Sequence, residues 1–328
     1  MLHCRPRLLK PVLLCLGIGG CALHHVVPSG CDWQRPVEVA APDDLAVPMG
    51  VTRFVIGGDA RDDTCDVLPQ ALREAKRRGA RGFIFLGDME ATAGLQPRFK
   101  QVIERELQGM TFYPVLGNHD VEQFGIVRMS GRPERRFQKL FLDTPETPVR
   151  SVFPDKVVYS INLERNVHLV VLDNVSQKGF GAEQLRWLES DLEHAGQNPN
   201  TKIVVAMHKA LAENGCTTHA MDEDGCGARR ESARVLDLLV EHHAELIFAG
   251  HEHVYAKLAQ RGIPTYISGG LGAPPDEWGE KFFPHMLQLD ASESGLTMKV
   301  VELRGSCIKR APLLALFKLK SGEAACPE

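Results

Sequence analysis

Short apolar runs recur along this chain, and five of them end in a polar side chain. Phe54-Val55-Ile56-Gly57-Gly58 runs into Asp59-Ala60-Arg61, and Phe83-Ile84-Phe85-Leu86-Gly87 runs into Asp88. Phe112-Tyr113-Pro114-Val115-Leu116 precedes Gly117-Asn118-His119-Asp120. Ile203-Val204-Val205-Ala206-Met207 leads to His208, and Leu246-Ile247-Phe248-Ala249 leads to Gly250-His251-Glu252-His253. Runs this short and continuous predict buried strands. In open α/β sheets, ligands bind beyond the carboxyl ends of the strands, so all five deliver polar groups where a site forms.

Between the runs the spacing turns helical. Val67–Arg78 places Leu68, Leu72 and Ala75 on one face and Arg73, Lys76 and Arg77 on the other, and Gly79 supplies a stop. Phe99–Gln108 turns Phe99, Val102, Ile103 and Leu107 inward. Glu183–Ala195 does the same with Leu185, Leu188 and Leu192, and Glu231–His242 is a further helix. Residues 121–155 are polar and irregular, with one short helix near Glu134–Phe141. An insertion of that length directly after a polar cluster often shapes a site. Val157–Leu163 and Val167–Leu172 read as antiparallel neighbours joined by Glu164-Arg165-Asn166. The rest alternates as strand: Tyr255–Gln260, Thr265–Ser268, His285–Leu289 and Thr297–Leu303. Periodicity alone therefore gives an α/β chain with a mixed sheet.

The chain has 328 residues, 44% hydrophobic and 24% charged, a profile with room for one large domain or two small ones. A formal net charge of -4 gives no reason to expect stable nucleic-acid binding, which calls for a basic surface. No internal repeat is visible.

The N-terminus stands apart from the fold. Arg5, Arg7 and Lys10 form a basic segment, and Pro11 to Gly20 an apolar one too short to span a bilayer as a helix. It closes in Ile18-Gly19-Gly20-Cys21, which resembles a bacterial lipobox. Residues 1–20 are then a lipoprotein signal peptide, cut before Cys21, and Cys21 carries the lipid. A plain secretory signal is the alternative. The lipobox reading puts the chain on a membrane of the bacterial cell envelope, periplasmic or at the cell surface. Residues 21–50 become a tether and lead-in, 51–305 the main domain and 306–328 a C-terminal extension. Beyond Cys21 six cysteines remain: Cys31, Cys65, Cys216, Cys226, Cys307 and Cys326. An even number in an exported chain suggests disulfides. Cys216–Cys226 is favoured because both lie in one Gly- and Asp-rich loop; Cys31–Cys65 and Cys307–Cys326 follow by elimination. Paired CxxC spacing is absent, which argues against a cysteine zinc site.

Asp59, Asp88, Asn118, His208, His251 and His253 are oxygen and nitrogen donors that suit Zn, Mn, Fe or Ni rather than soft thiophilic ions. Their ordered setting is Gly-Asp-x, Gly-Asp, Gly-Asn-His-Asp, a strand-end His and Gly-His-x-His. It resembles the calcineurin-like metallophosphoesterases over roughly residues 52–303. Glu183-Gln184-Leu185-Arg186-Trp187-Leu188 is similar to a helix in purple-acid-phosphatase-like members. The resemblance implies a four-layer α/β/β/α sandwich of two mixed sheets and two divalent or trivalent metal ions (Mn, Fe, Zn or Ni). It implies that Asp88 bridges the ions, that Asp59 and His253 serve the first, and that Asn118, His208 and His251 serve the second. Two cations roughly 3.5–4 Å apart polarise phosphoryl oxygens and lower the pKa of a bound water, so that hydroxide attacks phosphorus near neutral pH. His119 is no ligand in the family; the resemblance makes it the general acid for the leaving oxygen or a phosphate-orienting donor. Asp120 would accept its other N–H and fix the tautomer. His168, His219, His242, His243 and His285 match no motif and are assigned to core or surface.

One position departs from the family. Its first motif is usually Asp-x-His, the His being a ligand; here it is Asp59-Ala60-Arg61. A guanidinium stays protonated and cannot ligate a metal. Water or a substrate oxygen fills the gap, or Asp62 or Asp63 swings in, or the first site holds its ion weakly. Arg61 itself either grips substrate phosphate through a bidentate fork or pairs with Asp62, Asp63 or a surface acid. Asp88 is followed by Met89-Glu90-Ala91-Thr92, without the Tyr ligand of purple acid phosphatases, so no tyrosinate-to-iron colour is expected. The expected activity is metal-dependent hydrolysis of phosphate esters, monoesters first. A phosphodiesterase acting on nucleotide or phospholipid-type diesters is the second reading. A catalytically weak envelope binding module, supported by Arg61, is the third.

Overall fold

Two strands from opposite ends of the domain lie side by side at its centre. β1 (Thr52–Gly57) pairs antiparallel with β12 (His285–Ser292), in a register that sets Arg53 opposite Asp290. The structure, a computed structural model, describes residues 45–303 apart from 62, 64–65, 90–95, 124–126, 130, 178, 213–219, 222–225 and 274–282, and only the backbone of 96, 123, 127, 128 and 226. The signal segment, the lipidation position Cys21, all six expected disulfide cysteine side chains, Asp62 and His219 lie outside the described residues.

β1 also pairs in parallel with β2 (Gly82–Phe85), and β2 with β3 (Thr111–Pro114); β13 (Gly295–Glu302) closes the other edge against β12. The first sheet thus runs β13-β12-β1-β2-β3 and is mixed. The second sheet is built from β6 (Tyr159–Asn162), β7 (Val167–Val171), β8 (Lys202–Met207), β9 (Leu246–Ala249), β10 (Tyr255–Gln260) and β11 (Ile263–Ser268), in the order β10-β11-β9-β8-β7-β6. Its four inner strands are parallel and its two edges antiparallel.

Side chains of a strand alternate between faces, and β7 and β8 show what each face meets. Leu169, Val171, Val204 and Ala206 join the core shared with Phe54, Ile56, Leu287 and Leu289 of the first sheet. Val170, Ile203, Val205 and Met207 join the core built with α5 (Gly181–Ala195) and α6 (Cys226–Glu241). α1 (Val67–Arg77) and α2 (Gln96–Leu107) lie on the first sheet, where Phe99 meets Phe85 edge-on with ring centroids 5.3 Å apart. Each buried aromatic of this kind contributes roughly 1.5–3 kcal/mol. The result is the expected four-layer sandwich of two mixed sheets between helices.

The 121–155 insertion is more ordered than its polarity suggests. After the single turn α3 (Asn118–Val121) it holds a two-stranded ribbon, β4 (Glu122–Gln123) with β5 (Val127–Arg128), and then α4 (Pro133–Phe141). Phe137 and Phe141 of α4 are buried, and Phe141 packs against Phe99 with centroids 6.1 Å apart.

Candidate metal centre

The carboxyl ends of β1, β2, β3, β8 and β9 converge, and the backbone there is bent to deliver side chains inward. Asp59 (φ 62°), Arg61 (φ 45°), Asp88 (φ 56°) and His251 (φ 69°) all adopt left-handed conformations, uncommon for residues other than glycine. Such outliers collect where the surroundings hold a strained geometry in place. Two glycines let the loops close on each other. A Cβ on Gly117 would overlap Asp88 N and Oδ1. One on Gly87 would lie 2.7 Å from His208 Nδ1 and 2.8 Å from Gly117 Cα.

All six expected ligands meet there. Asp88, His208 and His251 form one group of metal-ligating type, and Asp59, Asp88 and His253 a second, so that Asp88 belongs to both. Asn118 adds its Oδ1, 2.9 Å from His208 Nε2. Asp59, Asp88 and His208 are fully buried.

The protonation pattern shows that this donor set fits a cation. His208 Nδ1 lies 2.8 Å from the Leu86 carbonyl oxygen, which can only accept, so Nδ1 carries the proton and Nε2 the lone pair. Burial pushes the His208 pKa down and keeps the ring neutral. Its bare Nε2 then faces Asn118 Oδ1 at 2.9 Å and Asp88 Oδ1 at 3.3 Å, and neither of these oxygens can donate. His251 Nδ1 stands 3.2 Å from the same Nε2. Burial would raise the Asp88 pKa, but in acid, where the imidazoles are protonated, His208, His119, Arg61 and His251 outweigh it and hold the carboxyl well below its usual range. Asp88 Oδ2 is buried and, among the described residues, accepts no hydrogen bond of good geometry, although Arg61 Nε forms an ion pair with it at 3.1 Å. Lone pairs gathered around a common point are stabilised by a positive ion between them. The Leu86 carbonyl that orients His208 left no mark in the sequence, because any residue supplies a carbonyl.

Residues 25–255 match the family model described as calcineurin-like phosphoesterase. The chain belongs to that family. It is 24% identical over 230 residues to a probable purple acid phosphatase 20 of Arabidopsis thaliana, an alignment covering 67% of this chain and 51% of that one. The chain spans about half the length of the curated relatives it matches. Its fold is like that of the purple acid phosphatase PPD1 from Lupinus luteus seeds, with a TM-score of 0.61 at 15% identity over 80% of this chain and 54% of that one. It is also like a dimetal phosphatase from Danio rerio, with a TM-score of 0.57 at 15% identity over 78% of this chain and 99% of that one.

One expectation about this calcineurin-like phosphoesterase site needs correcting, and two alternatives left open around Arg61 are narrowed. Asp120 does not orient His119 through Nδ1, which has no hydrogen-bond partner among the described residues. Its carboxylate instead accepts the backbone N–H groups of Asp88 (3.1 Å), Met89 (3.1 Å) and Gly117 (2.8 Å). Tight loops leave those donors without backbone partners, and a buried carboxylate satisfies all three. Burial, then the Asp88 charge, push its pKa up against the pull of those bonds. Asp63 does not swing in as a ligand either. Its oxygens accept from the backbone of Asp66 (2.8 Å), Val67 (2.7 Å) and Leu68 (3.3 Å), capping the start of α1. Arg61, among the described residues, meets an acid not expected for it: Nε lies 3.1 Å from Asp88 Oδ2, and Nη2 lies 3.4 Å from His253 Nε2.

His119 is near the centre without joining it, with Nε2 3.9 Å from Asp88 Oδ2. Burial drives its pKa down to about 4 although Asp88 opposes the shift, so the ring is neutral at pH 7 and offers an N–H rather than a stored proton. Two further histidines have partners elsewhere. His168 bonds Asn162 Oδ1 at 2.7 Å and Asp191 Oδ2 at 3.0 Å, and His285 is buried against Tyr255 and Phe283.

Proposed function

We propose that this chain hydrolyses phosphate esters, monoesters first, at a metal centre built on Asp88. The observation that carries the reading is the meeting of Asp88, Asn118 and His208 lone pairs around one point, with His251 beside them. Asp88, Asn118, His208 and His251 would hold an ion; Asp59, Asp88 and His253 form a second candidate group, against which Arg61 lies. Ions of the Mn, Fe, Zn or Ni type supply Lewis acidity toward the phosphoryl oxygens and lower the pKa of water. The protein's own groups do the rest. Asp88 gathers positive charge at the point of reaction, and Arg61 adds a fixed cation. Neutral His119 donates its N–H to a phosphoryl or leaving oxygen as charge builds there. Asp120 holds the Asp88 and Gly117 loops in register. The sequence of the first 21 residues supports an exported chain anchored through lipid on Cys21.

The test uses the purified full chain with an aryl phosphate monoester and the matching diester, across added Mn, Zn, Ni and Fe, beside Asp88→Asn. Metal-dependent turnover that vanishes in the variant and prefers the monoester is expected. Faster diester cleavage would replace the monoester reading. No turnover with any metal, in protein that binds metal, would leave a binding module.

A further inference from the structure

The guanidinium of Arg61 reaches into the cluster formed by Asp59, Asp88 and His253. The side chain is only 19% exposed, and Nε sits 3.1 Å from Asp88 Oδ2. At the other end of the group, Nη2 sits 3.4 Å from His253 Nε2. Arginine has no acceptor, so that second contact is a hydrogen bond only when His253 Nε2 presents its lone pair. The oxygen and the nitrogen that Arg61 touches are therefore two of the atoms a metal at this cluster would bond.

We propose that Arg61 stands in for the metal ion of the Asp59–Asp88–His253 cluster, so that the chain takes up one ion, at Asp88, Asn118, His208 and His251, and keeps an organic cation where the second would lie. The inference rests on the metal-centre reading above.

Charge, donor supply and the fixed placement of Arg61 support it. An ion bonded to Asp88 Oδ2 at about 2.1 Å would lie within about 5 Å of Arg61 Nε, a doubly charged cation facing a permanent one. The site is buried, where screening by solvent is weak. The donors are also spent: Arg61 replaces the imidazole that the family's motif places there and occupies the lone pair of His253 at the same time. Charge balance points the same way. Asp59 and Asp88 are two carboxylates, fully buried; one divalent ion with the guanidinium leaves a net charge of about +1, whereas two divalent ions beside Arg61 would leave about +3. Arg61 is also held in place rather than swinging freely. Its φ of 45° and the bond from its backbone N–H to the Asp88 carbonyl oxygen (3.1 Å) fix the direction in which the side chain leaves. A guanidinium set beside a metal presents planar N–H donors to phosphate oxygens, a task for which its fork geometry suits it.

Metal stoichiometry tests this on the full chain, loaded with Mn or Zn, dialysed and measured by elemental analysis. Wild type is expected to hold about one ion per chain, and Arg61→His about two. In Mn-loaded samples, the electron paramagnetic resonance spectrum should change from that of an isolated ion to that of a spin-coupled pair. Asp59→Asn, a residue that tolerates the left-handed backbone, should leave the wild-type count at one, and this arm decides even where Arg61→His fails to fold. Two ions in wild type, or a count that drops in Asp59→Asn, overturns the inference. A folded Arg61→His that still holds one ion overturns it as well. A folded wild type that binds no ion overturns the metal-centre reading itself, and the inference with it.

Discussion

Asp120 Oδ2 accepts the backbone N–H of Asp88 at 3.1 Å, so the residue next to His119 acts on the loop that carries Asp88. With Met89 and Gly117 on the same carboxylate, it stitches the end of β2 to the end of β3. Asp120→Ala leaves three buried donors unmet and frees Asp88 to move. Groups of this supporting kind cost about 10–100-fold in metal affinity when removed. Competitive metal titration of Asp120→Ala checks this, and wild-type affinity would refute the bracing role.

His119 lies beside the cluster, not in it. His119→Ala is expected to lower kcat by about 10²–10³, the loss typical of one positioned donor, with the metal count unchanged. Elemental analysis alongside turnover separates the two effects; a variant that loses metal would make His119 a ligand.

His285 gives the stability of the domain a pH dependence. Burial pushes its pKa down to about 4 from an ordinary 6.5. An unfolded chain takes up the proton near pH 6.5 and the folded one only near pH 4. Stability is therefore full above pH 6.5 and falls as the pH drops toward 4, by up to about 3 kcal/mol. Urea unfolding in chelator at several pH values should show that slope in wild type and a flatter one in His285→Gln. Equal slopes would mean that another group titrates.

Glu231 of α6 accepts the N–H groups of Phe180 (2.7 Å) and Gly181 (3.2 Å) at the start of α5. It thus serves the helix as a remote N-terminal cap of favourable charge. Glu231→Ala should cost about 1–2 kcal/mol of stability, and Glu231→Gln less. Both should keep full turnover, because the residue is far from the metal cluster in role; denaturant midpoints and kcat on the same samples decide.

Arg53 and Asp290 form a bidentate pair between β1 and β12, with Nε–Oδ1 2.6 Å and Nη2–Oδ2 2.9 Å and Arg53 almost wholly buried. Asp290→Ala should destabilise by about 3–5 kcal/mol, since it strands a buried charge. The double replacement Arg53→Met with Asp290→Leu should recover much of that loss. A single variant no worse than the double would contradict the pairing.

The strands that deliver these side chains were legible because each is a continuous apolar run with a polar end, and β9 and β10 begin and end where the pattern places them. The six ligand candidates were legible for the same reason, through the resemblance their order carries. Strand order was not, because no local signal tells Thr52 that its neighbour is Ala291, near the other end of the domain. Asp120 was misread, and Asp63 stayed open as a ligand, because carboxylates that bind backbone N–H groups look, in sequence, like carboxylates that bind metals or imidazoles. The partner of Arg61 was hidden by distance along the chain: the nearby acids Asp62 and Asp63 suggested themselves, while Asp88 lies in the loop after β2.

The carboxylates and the amide come from the first sheet, at the ends of β1, β2 and β3, and the imidazoles from the second, at the ends of β8 and β9. An ion held between them is a rivet through the middle of the sandwich. Loading should slow amide hydrogen exchange where β2 and β9 approach the ligands and leave the outward faces of α1 and α5 unchanged. Ligand binding to the folded state alone also raises its free-energy gap from the unfolded one. Metal supply would then govern how long the chain survives proteolysis as well as how fast it turns over.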